Sequence, residues 1–247
     1  MANTIDSIGA VARPGFNALL EDVFGLNVRG LRTLRDLYVS PRKVFDSARV
    51  IDWANQHTPT IRLTFSLITV YMLLGFFWAA EDGPLYQSLL AQLEVLVERN
   101  PELPPAEDMA AGWFAAYSFA FPLIYMIVHF FVGSVLFVWG KGSTWTTRLR
   151  MHFSLLAVGM SLSLFSMVVL PFLTTDHLMY YTIATLGAGF IAYIVTYVRG
   201  VSDVHSGFKL WWRALFTGVI VIIADLFIAL LTQFGSGIMI GRNLAIG

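Results

Sequence analysis

AAGWFAAYSFAFPLIYMIVHFFVGSVLFVWG, residues 110–140, runs for 31 residues with one ionisable side chain, His129. A helix needs about 20 mostly apolar residues to cross roughly 30 Å of hydrocarbon, so this run is long enough to span a membrane. Four further stretches behave alike. Residues 63–80, 153–174 and 178–198 carry no charge, and 215–234 carry one, Asp225. Lipid offers no water to free backbone groups, which makes each stretch a predicted helix. The 110–140 run exceeds a perpendicular crossing and predicts a tilt, with Pro122 as a kink.

The rest of the chain agrees. Its 247 residues are 57% hydrophobic and 13% charged, with a mean hydropathy of +0.68. Soluble domains run roughly 45–50% apolar and about 25% charged. A net charge of zero removes the bulk electrostatic case for nucleic acid as a partner. The absence of cysteine removes disulfides, thiolate metal sites and thiol nucleophiles. The first twenty residues lack the apolar core of a secretory signal, so insertion is expected to be directed by a span itself.

Orientation follows from Lys and Arg. Eight precede the first span: Arg13, Arg29, Arg32, Arg35, Arg42, Lys43, Arg49 and Arg62. Lys141, Arg148 and Arg150 follow the second span, and Arg199, Lys209 and Arg213 follow the fourth. Only Arg99 and Arg242 fall on the other side, where residues 81–108 hold seven acids. The expected topology has a cytoplasmic N-terminus and a C-terminus across the membrane. Trp78 and Trp113 are expected at the outer interface, and Trp139, Trp211 and Trp212 at the inner one.

Before the first span, Asn27 caps a predicted short helix to Tyr38, with Arg29, Arg32 and Arg35 on one flank and Leu31, Leu34, Leu37 and Tyr38 on the other. Ser40-Pro41 opens a second helix, with Val44, Phe45, Ala48, Ile51 and Trp53 as its apolar residues. An earlier helix is expected over 16–24, where Glu21 and Asp22 can pair with the arginine row. Basic amphipathic helices lie in the headgroup plane. Arg29, Arg32, Arg35, Arg42 and Lys43 therefore have two readings. They set topology and anchor the segment, or they form a site for anionic lipid headgroups or a protein partner.

The residues Arg32, Thr33, Leu34, Arg35, Leu37 and Pro41, followed by Pro59, Arg62 and Leu63, carry a resemblance. RTLRDLYVSPRKVF with HTPTIRL looks like the start of a bacterial multispan membrane family of unknown function, with an R-T-L-R-x-L-x-x-x-P pattern before its first span. The resemblance implies a bacterial cytoplasmic (inner) membrane. Many members of that family carry a zinc ribbon ahead of this pattern, which a chain without cysteine cannot form, and His57 stands where the family has an aromatic Tyr. Five spans with this orientation are also similar to Yip-type proteins, which bind small GTPases and shape membranes.

Ionisable groups inside spans are costly and invite a functional hypothesis. His129 and Asp225 lie at depths differing by about one helical turn. Neighbouring second and fifth spans would let them pair, as a proton relay or cation site or as a structural contact between helices. His152 reads as a boundary residue of the third span. Ala184, Ala188 and Ala192, with Gly187 and Gly189, form a small-residue stripe suited to packing against the third span, which offers Gly159, Ser161, Ser163 and Ser166, or to dimerisation. Residues 84–99 read as a helix lying across the outer ends, with Leu85, Leu89, Leu90, Leu93 and Leu96 as its stripe. The glycine-rich segment after 234 reads as a loose tail. No phosphate-binding loop, H-E-x-x-H or metal-spaced cluster occurs, so no cofactor or metal is expected.

The sequence thus predicts an all-α integral membrane protein: an amphipathic basic segment (1–62) and a five-span domain (63–247), N-in and C-out. The expected role is a non-catalytic membrane scaffold whose partners are anionic lipid, another membrane protein or a second copy of the chain. The alternative is a small transporter or lipid-handling protein using His129 and Asp225.

Overall fold

The computed structural model describes residues 28–50, 53, 56–78 and 83–246, with the backbone alone for 76–78 and 236–246. The expected helix over 16–24, the Asn27 cap, Ile51, Glu81, Asp82 and the side chains of Trp78 and Arg242 lie outside what is described.

Helices make up most of the described residues, and no strand occurs among them. Two short helices come first, α1 (Val28–Val39) and α2 (Pro41–Ala48). They are followed by α3 (Thr60–Trp78), α4 (Pro84–Arg99) and α5 (Ala106–Val135). The last three are α6 (Trp145–Met167), α7 (Leu178–Val201) and α8 (Gly207–Ile246). Four helical stretches are long and apolar enough to cross a membrane: Ala106–Val135, Trp145–Phe172, Thr175–Val201 and Gly207–Gly235. They make the chain an integral membrane protein by length and composition. The apolar stretch of α3, Thr60–Gly75, is shorter.

α6 is the axis of the bundle. Every residue from Met151 to Ser161 is buried, the mark of a helix surrounded by protein. α3, α5 and α7 pack around it, and α8 closes the bundle against α5 and α7. The outer faces remain apolar, with Phe119, Ile127 and Phe131 on α5, Ile183 and Ile191 on α7, and Ile223 and Leu230 on α8 all exposed. Burial inward and apolar exposure outward is the arrangement that lipid requires.

α3 starts level with α6 and runs beside it. Thr60 Oγ1 donates to the Arg150 carbonyl at 2.7 Å and Thr64 Oγ1 to that of Phe153 at 3.1 Å. At that end α1 and α2 form a platform. Pro41 opens α2 at its first turn, although Ser40 makes no side-chain cap bond. Val44, Phe45 and Ala48 are fully buried, and the Phe45 ring stands 5.8 Å from that of Trp139, itself 5.2 Å from Tyr197. Arg199 donates to the carbonyls of Tyr38 (2.7 Å) and Val39 (2.5 Å), capping the end of α1. Arg150 reaches the Val50 carbonyl at 2.6 Å. His57 ties the platform from below: Nε2 lies 3.2 Å from Asp36 and Nδ1 2.8 Å from Ser47 Oγ. Burial pushes the Tyr38 phenol above its ordinary pKa, partly offset by its hydroxyl contact with Ser161 at 2.7 Å. At the opposite end α4 rests on α5, with Tyr86 stacked on Phe114 at 5.9 Å.

Several expectations need correction. The α1 leucines do not all turn inward. Its buried face is Gly30, Thr33 and Leu37, because Thr33 Oγ1 accepts the Thr58 N–H at 2.8 Å, and Leu31 is left 53% exposed. α5 stops at Val135, five residues before the apolar run ends. Trp139 is buried between rings and is no interface anchor, whereas Trp211 and Trp212 are exposed. α6 begins at Trp145, two turns ahead of 153, with Thr144 Oγ1 accepting the Thr147 N–H. α8 continues through Ile246, so the glycine-rich tail is helical. It contains no proline to end the helix. In α4 Tyr86 is the buried residue, and Leu85 and Leu96 are exposed. Gly187, Ala184 and Ala188 face outward, away from α6; α7 turns Tyr193, Tyr197 and Val201 inward.

Arg49 bonds Asp203 at 3.1 Å, joining α2 to the turn after α7. Partial burial would raise the Asp203 carboxyl, but the Arg49 guanidinium outweighs it and holds the carboxyl below its ordinary pKa. A depressed carboxylate contributes stability above its unfolded pKa of about 3.9, and that contribution is lost as pH falls through the folded value. Melting wild type and Asp203→Asn in detergent between pH 7 and 3 should give a stability gap that is constant above about pH 4 and closes below it.

Candidate functional site

Tyr125 and His129 on α5, four residues apart, bring their rings to 4.4 Å. They end a ladder along one face of α5. Trp113 lies 5.0 Å from Tyr117, Tyr117 5.4 Å from Phe121 and Phe121 5.6 Å from Tyr125. Spacing by four places all five on one helix face. One turn later the series ends at Gly133, where a side chain would meet His152 Cδ2 at 2.9 Å. Glycine here leaves room for His152 to lie against α5.

His152 and His129 are both fully buried. His152 Nε2 lies 3.3 Å from His129 Nδ1, and His129 Nε2 lies 3.0 Å from Asp225 Oδ1 on α8. Tyr193 on α7 donates its hydroxyl to Asp225 Oδ2 at 3.4 Å. A second glycine permits this contact, since a side chain at Gly159 on α6 would run into the Tyr193 ring and hydroxyl. Four helices thus converge on one carboxylate.

The proton positions follow from the acceptors. An ionised Asp225 only accepts, so His129 carries its proton on Nε2, and its Nδ1 accepts from His152 Nε2. His152 Nδ1 is then the acceptor at the end of the series, and it is buried without a partner. The series also closes with every proton shifted one place. His152 then holds a proton on Nδ1, His129 on Nδ1, and Asp225 is the neutral acid donating to His129 Nε2. The two arrangements differ by one proton, gained at His152 and ending on Asp225.

Asp225 borders a cavity of about 160 Å³ that takes walls from every long helix: Tyr71 from α3, Phe121 and Tyr125 from α5, Gly159, Met160 and Ser163 from α6, Leu186 and Tyr193 from α7, and Asp225 and Ile228 from α8. The Asp225 side chain is 24% exposed, against none for His129. The carboxylate is therefore the point at which the buried series meets open space. The described residues contain no group of three or more His, Asp or Glu side chains that could hold a metal ion.

The structure brings His129 and Asp225 into contact and adds His152, which the sequence placed at a boundary. It also adds Tyr193, Tyr125 and Tyr71. The W-x3-Y-x3-F-x3-Y-x3-H-x3-G spacing of residues 113–133 is the sequence signal that locates this face. Arg29, Arg32, Arg35, Arg42 and Lys43 are all exposed on the platform, and Arg42 lies 3.8 Å from Asp46. They do not approach the cavity cluster. Compared with known protein families, characterised proteins and solved structures, the chain matches none of them.

The two kinds of helix glycine should respond oppositely to alanine. At Gly187, where nothing lies within 4 Å of an added methyl, alanine should stabilise by up to about 1 kcal/mol through helix propensity. At Gly159 it should destabilise by about 1–3 kcal/mol through overpacking against Tyr193. Detergent melting temperatures of the two variants would show the opposite signs.

Proposed function

We propose that the protein is a proton-linked membrane carrier in which His152 and His129 load and unload Asp225. The contact series from the unpartnered His152 nitrogen to a carboxylate facing a cavity carries this reading. His152 lies two turns into α6 from the platform end, and the cavity-lining Gly159 and Ser163 lie farther along the same helix. A proton taken at His152 Nδ1 releases the Nε2 proton to His129 Nδ1, and His129 releases its own Nε2 proton to Asp225. The reverse passage restores both rings. Imidazole suits this task because either of its two nitrogens can hold the proton while the other accepts.

The accompanying topology has α3 as a fifth span. Its 19 residues rise about 28 Å, close to the hydrocarbon thickness. The platform then lies on the cytoplasmic leaflet, with the C-terminus across the membrane, and the resemblance carried by residues 32–63 implies a bacterial inner membrane.

Infrared spectroscopy of the protein in nanodiscs after a pH jump tests the relay. A carboxylic-acid band should appear on acidification, be missing in Asp225→Asn, and form about a hundredfold more slowly in His152→Ala. An unchanged rate in His152→Ala would refute the relay.

A second reading rests on a separate observation, the exposure of all five platform cations. Each contributes about 1 kcal/mol near an anionic leaflet, so the platform serves as a docking face for anionic lipid. Changing Arg29, Arg32, Arg35, Arg42 and Lys43 to Gln should strip co-purifying anionic lipid, as read by mass spectrometry, while leaving the melting temperature near that of wild type. Unchanged lipid would leave these residues with topology alone.

A further inference from the structure

We propose that the cavity beside Asp225 binds a small organic monocation of the alkylammonium type, in exchange for the proton that the histidine series delivers.

The chemistry of the walls selects this ligand class. Tyr71, Phe121, Tyr125 and Tyr193 surround the space, and Asp225 supplies its formal charge. Aromatic faces present negative potential and attract desolvated cations, and quaternary ammonium groups are commonly held in aromatic cages of this kind. A neutral apolar guest would leave the carboxylate without a counter-charge. A hard metal ion wants about six oxygen ligands, whereas this lining offers a single carboxylate among mostly aromatic and aliphatic side chains. Size agrees as well. Cavities of about 150 Å³ accept benzene-sized guests, and this one measures about 160 Å³.

Exchange follows from charge balance. With both histidines neutral and Asp225 ionised, the cluster carries one negative charge within an apolar bundle. One proton on Asp225 or one cation in the cavity neutralises it, and binding both restores the imbalance with the opposite sign. Arrival of the cation therefore favours return of the Asp225 proton to His129, return of the His129 Nδ1 proton to His152, and loss of the His152 Nδ1 proton from the cluster. The titratable groups facing Asp225 are His129 and Tyr125 from α5, Tyr193 from α7 and, across the cavity, Tyr71 from α3. His152 of α6 stands behind His129. Among the described residues that line the cavity, Asp225 is the one acid.

The pH dependence of this inference rests on the relay reading; the cation site stands on the cavity alone. Calorimetric titration of the full chain in nanodiscs with tetramethylammonium chloride tests it. Binding is expected, and one-for-one exchange with a proton should weaken it as pH falls, by up to about tenfold per pH unit. Tyr71→Leu, which removes one aromatic wall and touches neither histidine, should weaken binding by about three- to thirtyfold. Asp225→Asn should abolish it. Absence of binding to wild type overturns the site, as does binding indifferent to Tyr71→Leu. Displacement by an equal concentration of potassium would mean an alkali-cation site and overturns the organic assignment. Binding that does not vary with pH overturns the exchange. The infrared band separates the two ideas: a band with His152-dependent kinetics but no tetramethylammonium binding sinks the cation site and leaves the relay standing.

Discussion

A carboxylate within a hydrocarbon layer has no water to turn to, and an unmet charge there costs far more than any single packing contact contributes. Asp225 meets that demand with one donor on each oxygen, His129 and Tyr193. Each donor makes a demand of its own. His129 is fully buried and needs a partner for its second nitrogen, which His152 supplies from α6. His152 fits only because α5 has glycine at 133, and Tyr193 only because α6 has glycine at 159. Glycine at these two positions thus makes room on α5 and α6 for the side chains that serve one carboxylate on α8. Apolar packing fills the remainder, but it does not choose which helix faces meet.

Much of this was legible as hydropathy. The long apolar runs marked the helices of the bundle, and His129 and Asp225 stood out because ionisable groups are rare inside such runs. Their contact could not be read, since it depends on α5 and α8 being neighbours. His152 was missed for a different reason. Arg148 and Arg150 interrupt the apolar run, and charge alone places the helix start after them. In the folded chain Arg148 donates to the Ser134 carbonyl at 2.9 Å and lies 4.0 Å over the Phe137 ring, while Arg150 bonds Val50. Local partners replace water, and α6 starts two turns earlier than charge alone would place it.

The same distinction divides the basic residues. A count by loop treats every Lys and Arg as a topology signal. Arg49, Arg150, Arg199 and Arg213 instead join elements through short bonds to carbonyls or to Asp203. Arg29, Arg32, Arg35, Arg42 and Lys43 face outward from the platform. Sequence gives these groups the same letters. Only the position of nearby carbonyls, which depends on tertiary structure, tells them apart. Trp139 is a similar case, an interface residue by type that became a core ring between Phe45 and Tyr197.

The segment between α5 and α6 brings several of these threads together. The Val138 carbonyl accepts the Tyr197 hydroxyl at 2.6 Å and Arg213 at 3.1 Å, and Arg213 also donates to His205 Nε2 at 2.7 Å. One main-chain oxygen thereby ties the platform ends of α5, α7 and α8. Helices fastened at one end behave as levers with a common fulcrum, and a small change of tilt displaces their far portions most. The cavity beside Asp225 lies farther along the same three helices, where His129 and Tyr193 tie them a second time through the carboxylate. Splaying the arms therefore means giving up those two contacts, while the platform and its charge-bearing surface are held still.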